Sequence, residues 1–187
     1  NEVVKKGEPD FPFCLGWANE SWKAKLWDFN STKSDRILME QLYPGDQDYI
    51  DHFYALLEAF RDKRYLRKNN RLIFVIYKPF LMPDPSLFMT IWNKLAVQER
   101  ISDGFHFIGH TEKTKDVDAL LDMGFDAVNI VRNGEYAHNL DLIKRILIPT
   151  IKYKFFKKPL IIDYSLMMKY FVQGKEKESN IYPSIIP

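Results

Sequence analysis

The sequence predicts an α/β fold in which a mostly parallel β-sheet is connected by helices. Three observations lead to this prediction. Short apolar runs typical of buried strands alternate with segments whose apolar residues recur at helical spacing. The order runs strand, helix, strand, helix up to a fifth strand, and such alternation favours parallel strands with crossover helices. On the residues alone, this pattern fits either a barrel or an open doubly wound sheet.

The first two strands and the helix between them have distinct patterns. Residues 11–17, FPFCLGW, form a continuous apolar run typical of a buried strand, and we expect a loop over residues 17–28. A helix is expected at residues 46–61, with Asp46 after Gly45 as its N-cap. Residues 71–77, RLIFVIY, are rich in β-branched and aromatic types and predict the next strand.

The alternation continues through the second half of the chain. Asp84 and Pro85 provide a cap and a first position for the next helix, and Gly104 precedes a strand at residues 105–109. A short helix at residues 116–123 ends before Gly124. The remaining predicted elements are a strand at 125–131, a helix at 140–147, a strand at 160–162, a helix at 164–172 and a strand at 181–186.

Charge and cysteine content limit the classes of partner. The 27 basic and 25 acidic residues give a net charge of +2, which provides no reason to expect a nucleic-acid partner. The longest apolar runs are shorter than the roughly 18 residues of a membrane span. The single cysteine, Cys14, excludes an internal disulfide and is consistent with a reducing compartment. We therefore expect a cytoplasmic protein.

Polar and aromatic residues follow the predicted strands, at the edge where functional groups of parallel α/β folds gather. Sugars need this mixture, because a ring stacks on the apolar face of a pyranose while carboxylates and amides bind its hydroxyls. The candidate sugar contacts are Trp17, Asn19, Glu20, Trp22, Tyr77, Lys78 and His110. Asn129 also stands at a predicted strand end.

Several candidates have a purely structural interpretation as well. Trp17 and Trp22 fit equally a role as loop anchors packed into the core, and Glu20 fits an exposed loop acid. His110 fits a side chain that satisfies a neighbouring carbonyl. The sequence alone leaves both interpretations open.

Other catalytic motifs are missing from the sequence. It contains no Gly-rich phosphate loop and no GxSxG elbow. His106 and His110 are four residues apart, but they lie in a strand-like run where that spacing gives no shared helical face. Asp116 and Asp118 open a predicted helix, where acidic residues are expected. We therefore predict no metal site and no cofactor.

The segment FPFCLGWANESW at residues 11–22 resembles the FPFxLxWANExW signature of the WbsX-type, glycoside hydrolase family 99-like proteins. Further segments resemble that family in the same order. They are ILMEQLY with the following helix and DKRY at residues 37–65, NNRLIFVIYKP at 69–79, GFDAV at 124–128 and IYPSIIP at 181–187. Gly16 and the stretch KAKLW at residues 23–27 depart from the family's pattern, and the second departure affects a segment next to the proposed sugar site.

The resemblance implies a (β/α)8 barrel of the TIM type. Residues 1–187 would form the central part of one such domain, with strands missing at both ends. The relatives process α-mannosidic linkages with two glutamates in an N-E-W-x-E-G-like motif, which this sequence lacks. The acid/base glutamates are therefore expected downstream of Pro187, Glu20 is the candidate carboxylate within the chain, and this piece alone is expected to be inactive.

The function that the resemblance implies is a carbohydrate-active enzyme of bacterial cell-surface polysaccharide, such as lipopolysaccharide O-antigen or capsule. Such an enzyme would be a glycosyltransferase or an α-mannosidase-like hydrolase that acts on an oligosaccharide or a sugar-lipid. Two alternatives stay open, a non-catalytic sugar-binding scaffold and a generic doubly wound domain. A single pocket shared by Trp17 and Tyr77 would favour the sugar-binding interpretations.

Overall fold

A computed structural model of the chain describes residues 2–24, 36–131, 151, 154–155, 174 and 177–184. Its strands are β1 (Leu15–Trp17), β2 (Trp22–Ala24), β3 (Arg36–Met39), β4 (Arg67–Lys68), β5 (Arg71–Ile76), β6 (Phe105–Thr111), β7 (Ala127–Ile130) and β8 (Ile181–Pro183). Its α-helices are α1 (Glu2–Lys6), α2 (Asp46–Phe60), α3 (Pro85–Gln98) and α4 (Val117–Asp122), with 3-10 turns at Pro79–Leu81 and Thr114–Asp116.

The main sheet is parallel along most of its width. Its strand order is β1-β5-β6-β7-β8, and each neighbouring pair in this series is parallel. The short strand β4 pairs antiparallel with the beginning of β5. The predicted mixed α/β fold with a mostly parallel sheet is therefore confirmed. The arrangement is compatible with an incomplete barrel, and barrel closure stays a prediction.

The described helices of the core cover one face of this sheet. Alternate residues of β5, Leu72, Phe74 and Ile76, are buried among side chains of α2 and α3. The parallel register places Phe105 and Phe107 of β6 on the same face, as expected from the two-residue period of strands. Side chains at the intervening positions, including those that follow the strand ends, project from the opposite face.

The core on the helix-covered face is largely aromatic. Trp92 is fully buried, and its ring centroid lies 4.5 Å from that of Phe88 and 4.7 Å from that of Phe74. The Trp92 indole N–H donates to the Tyr49 carbonyl at 2.9 Å, so the polar atom of the ring is satisfied. This cluster fixes α2 and α3 against the strands whose ends form the site.

The two long helices begin at different kinds of cap. Asp84 caps α3 as predicted, because its carboxylate accepts a hydrogen bond from the Leu87 N–H at 2.8 Å. The prediction that Asp46 caps α2 is wrong. Gly45 is the N-cap at φ 116°, a conformation that glycine adopts without a Cβ clash, and Asp46 is the first helical residue.

The expected loop at residues 17–28 is also partly wrong, because it contains β2, which pairs antiparallel with β3. The first strand is shorter than residues 11–17, although Phe13 still forms a bridge with Tyr65. The strands expected at 71–77, 105–109 and 125–131 and the helices at 46–61 and 116–123 are confirmed with small shifts at their ends. The expected elements at 140–147, 160–162 and 164–172 lie outside the described residues, as do residues 185–186 of the last predicted strand.

The N-terminal segment is held by one buried arginine. The Arg64 guanidinium donates to the Val3 and Pro9 carbonyls and to the Asp62 carboxylate, at distances between 2.5 and 3.1 Å. The hydrogen bonds that the Arg64 guanidinium and the Arg64 backbone N–H donate to the Asp62 carboxylate lower the pKa of Asp62 to about 2. Within the described ranges, no helix combines the length and the apolar character needed to cross a membrane.

Candidate functional site

The carboxyl ends of the parallel strands are aligned along one edge of the sheet. The backbone hydrogen bonds continue one residue past the strands, from the Tyr77 N–H to the Trp17 carbonyl and from the Val131 N–H to the Thr111 carbonyl, both at 3.0 Å. The residues that follow these strands therefore emerge next to one another. This is the edge at which ligands bind in parallel α/β folds.

Tyr77 and His110 form a stacked pair on the open face of this edge. Their ring centroids are 4.8 Å apart and their planes are inclined by 20°. His110 Nδ1 lies 2.8 Å from Asn129 Oδ1 on the neighbouring strand. The ammonium of Lys78 lies 4.4 Å from the Tyr77 ring centroid, within cation–π distance. It is also 3.9 Å from a Glu112 carboxylate oxygen.

Tyr77, Lys78, His110 and Glu112 line a first cavity at this edge, which we call the histidine cavity. Its volume is about 390 Å³. The lining residues are Tyr77, Lys78, Pro79, Phe80, Leu81, His110, Thr111, Glu112, Lys113 and Asp116. Cationic and anionic groups are mixed around it, together with two aromatic rings and an imidazole, so the cavity offers both donors and acceptors to a neutral polar ligand.

The second cavity, which we call the glutamate cavity, lies beside the end of β1. Its volume is about 540 Å³, and it is lined by Ala18, Glu20, Ser21, Trp22, Lys23, Leu38 and Leu81. Trp22 is 64% exposed, so a flat aromatic surface is available for stacking. Leu81 lines both cavities, which therefore adjoin at this side chain.

Asn19 is fully buried and ties the ends of β1 and β5 together. Its amide donates to the Tyr43 hydroxyl and to the Lys78 carbonyl, each at 2.9 Å, and its Oδ1 accepts from the Lys78 N–H at 2.7 Å. The Tyr43 hydroxyl donates back to the Asn19 carbonyl at 3.0 Å. With its side-chain groups engaged in this way, Asn19 positions its neighbours Glu20 and Lys78.

Trp17 lies on the opposite face of the sheet from Tyr77. Its register partner is Ile76 in the core, and its ring contacts those of His52, Phe88 and Tyr43 at centroid distances of 4.9 to 5.9 Å. Burial lowers the pKa of His52, which favours the neutral imidazole in this contact. The structure therefore does not bring Trp17 and Tyr77 into one pocket, and Trp17 supports the strand end from the helix side.

Of the seven candidate residues, the structure brings five to the two adjoining cavities. They are Glu20, Trp22, Tyr77, Lys78 and His110. Asn19 and Trp17 lie behind them in the packed protein. The sequence placed Asn129 at a strand end without assigning it a contact, and it gave no signal for Leu81 as the side chain between the cavities. Sugar contact by any of these residues stays a prediction.

In the part of the chain that the structure describes, no three His, Cys, Asp or Glu side chains are grouped so that they could hold a metal ion. Glu112 and Asp116 both line the histidine cavity, where Lys78 and Lys113 balance their charge.

Two curated relatives match almost the whole chain. Proteins named uncharacterized protein WxcX from two strains of Xanthomonas campestris pv. campestris, ATCC 33913 and B100, are each 26% identical over 179 residues. The match covers 94% of this chain and 24% of each relative, so the chain spans about a quarter of their length. No solved structure matches the chain.

The match to a protein family is complete along the chain. The family model described as glycosyltransferase WbsX aligns with residues 1–187, which include both cavities and every strand of the parallel sheet. The chain therefore belongs to the WbsX glycosyltransferase family.

Proposed function

We propose that this chain forms part of the sugar site of an enzyme that builds or processes cell-surface polysaccharide. The observation that carries the proposal is the pair of adjoining cavities at the carboxyl ends of the parallel strands. One presents Glu20 and Trp22, and the other presents Tyr77, Lys78 and His110. Together they offer an elongated polar and aromatic surface that suits an oligosaccharide or a sugar-lipid.

The chemistry of each cavity suits a different part of a saccharide. The exposed indole of Trp22 can stack on the apolar face of a pyranose, while the Glu20 carboxylate accepts hydrogen bonds from ring hydroxyls. The Lys78 ammonium donates to hydroxyl or glycosidic oxygens in the neighbouring cavity. Leu81, which is 55% exposed between the two, provides an apolar contact at the junction.

Two features support an incomplete (β/α)8 barrel over a doubly wound sheet. The parallel strands follow chain order across the sheet without the reversal that a doubly wound fold contains. The helices α2, α3 and α4 pack on the same face, whereas a doubly wound sheet carries helices on both faces. In the barrel, the face that carries Tyr77 and His110 would be the interior, and residues 1–187 would supply the central strands.

The glycosyltransferase family to which the chain belongs supports a carbohydrate as the substrate class. The chain spans about a quarter of the length of the curated relatives it matches, and we propose that the acid/base glutamates lie in the part of the protein after Pro187. Glu20 then binds sugar and does not supply the acid/base pair. We propose that the protein acts in the cytoplasm, free or at the inner membrane.

The test replaces Glu20 with glutamine in the intact protein. The substitution keeps the shape of the side chain and removes its charge, so it weakens charge-assisted hydrogen bonds worth about 1.5–3 kcal/mol. Affinity is measured for a panel of methyl glycosides that includes methyl α-mannopyranoside. We expect a loss of about tenfold to hundredfold for the best binder. Glu58→Gln, on the exposed face of α2, is the matched control and should leave the affinity unchanged.

Two outcomes separate the parts of the proposal. Equal affinity in Glu20→Gln and in the unmodified protein would remove Glu20 from the site. Failure of every glycoside in the panel to bind the intact protein would contradict the sugar site itself.

A further inference from the structure

His110 and Asn129 form a hydrogen-bonded pair at the open edge of the sheet. They are register partners on the parallel strands β6 and β7, and His110 Nδ1 lies 2.8 Å from Asn129 Oδ1. The geometry alone leaves open which nitrogen of the imidazole carries the proton. The other contacts of Asn129 answer that question.

The orientation of the Asn129 amide is fixed by its partners on the last described strand. Its Nδ2 lies 3.0 Å from the Tyr182 carbonyl oxygen and 2.9 Å from the Ser184 hydroxyl. A carbonyl oxygen only accepts hydrogen bonds, so the NH2 group must face Tyr182. Reversal of the amide would set its oxygen against that carbonyl. Oδ1 is therefore the atom that faces His110.

This orientation determines the tautomer of His110. Oδ1 is an acceptor, so Nδ1 must carry the hydrogen that forms the 2.8 Å contact. A neutral imidazole has one N–H, which leaves Nε2 with a bare lone pair. The stacked ring of Tyr77, 4.8 Å away, holds the imidazole plane in place.

Nε2 is the ring nitrogen of His110 that does not face Asn129. Among the described residues, no side chain or carbonyl pairs with this nitrogen, while every buried side-chain nitrogen and oxygen has a partner. His110 lines the cavity beside Lys78. The cavity thus holds a bare acceptor next to a cationic donor.

We propose that Asn129 is a positioning residue that holds His110 with Nε2 bare, and that Nε2 accepts a hydrogen bond from a hydroxyl of the bound sugar. This inference rests on the proposed function. It also predicts specificity, because a site built around an acceptor discriminates against a sugar whose hydroxyl is removed or O-methylated at that position.

The tautomer is tested first, without sugar, by 15N NMR of the intact protein at a pH at which the imidazoles are neutral. The His110 signals are assigned as those lost in His110→Gln. We expect Nδ1 to have the shift of a protonated ring nitrogen and Nε2 that of an unprotonated one. The opposite pattern would overturn the proposal.

Three variants distinguish a role of Asn129 in positioning His110 from a general role in stabilising the fold. Asn129→Leu removes the acceptor, so the His110 signals should move towards the Nε2–H tautomer. Asn129→Asp keeps an acceptor for Nδ1–H but sets its second oxygen against the Tyr182 carbonyl, so the variant should be less stable and should retain the original tautomer when folded. Ser184→Ala removes the hydroxyl that lies 2.9 Å from Nδ2 and 3.3 Å from Oδ1 and leaves the Tyr182 carbonyl, which still orients the amide, so it should also retain the tautomer. An unchanged His110 spectrum in a folded Asn129→Leu protein would overturn the positioning role.

The second arm adds the tightest-binding methyl glycoside of the panel. We expect its binding to shift the His110 Nε2 resonance, and we expect its affinity to fall about fivefold in Asn129→Leu, the usual loss for one neutral hydrogen bond. Saturation by the glycoside with no change at Nε2 would overturn the contact while leaving the sugar site in place. Failure of all glycosides to bind would count against the proposed function, and the tautomer result would still stand.

Discussion

Replacing Asn19 with alanine should loosen the joint between the first two parallel strands of the sheet. Asn19 is fully buried, and its side chain makes three hydrogen bonds. Two of them bind the backbone N–H and carbonyl of Lys78, and the third binds the Tyr43 hydroxyl. Alanine removes all three. The Asn19 backbone carbonyl can still accept the hydrogen bond from the Tyr43 hydroxyl.

The size of the effect follows from these contacts. A typical intramolecular hydrogen bond contributes about 1 kcal/mol net, so three correspond to about 3 kcal/mol. That free energy equals roughly a hundredfold change in an opening equilibrium. Because the Lys78 N–H loses its acceptor directly, the effect should be largest at that amide.

Hydrogen exchange measures this opening locally in the intact protein. We expect the Lys78 amide to exchange roughly a hundredfold faster in Asn19→Ala. Tyr43→Phe is the matched control, because it removes the hydroxyl and keeps both bonds between Asn19 and Lys78. Its effect on the Lys78 amide should stay below about tenfold. Equal protection of that amide in Asn19→Ala and in the unmodified protein would refute the reasoning.

Three further predictions concern the fold and its pH dependence. Trp92→Ala should cost about 3–5 kcal/mol in urea unfolding, because the ring is fully buried among aromatic neighbours, and a loss below about 1 kcal/mol would contradict that packing. Gly104→Ala should lower the urea midpoint clearly more than Gly45→Ala, although both glycines have positive φ. A Cβ at residue 104 would lie 2.7 Å from Asn93 Oδ1, whereas a Cβ at residue 45 would have no atom within 4 Å. Burial lowers the pKa of His52 and of His106, so the unfolded chain binds more protons just below pH 6.5. Stability should therefore fall as the pH drops through about 6.5, and His52→Gln should reduce that slope in pH-dependent urea titrations.

The strands and helices that the sequence predicted share a strong local signal. The strand RLIFVIY and the apolar face of α3, which contains Phe88 and Trp92, follow from the spacing of apolar residues in the sequence. That spacing can be read from a few neighbouring residues. The antiparallel pair of β2 and β3 lacked such a signal. Its strands are short and largely exposed, and their pairing joins residues that are distant in sequence.

The site was predictable only to the level of strand ends. A continuously apolar strand such as FPFCLGW does not reveal which of its residues faces the helices, so the side on which Trp17 lies depended on its register with Ile76. The role of Asn19 likewise depends on hydrogen bonds to Lys78, 59 residues away. Such long-range pairings are decided by tertiary packing, which one sequence does not display.

We propose that the two adjoining cavities at the strand ends hold one saccharide. A crystal structure of the intact protein with a bound oligosaccharide tests it most directly. We expect sugar density that extends from Glu20 and Trp22 past Leu81 to Tyr77 and His110. An oligosaccharide bound elsewhere on the protein, with both cavities empty, would contradict it.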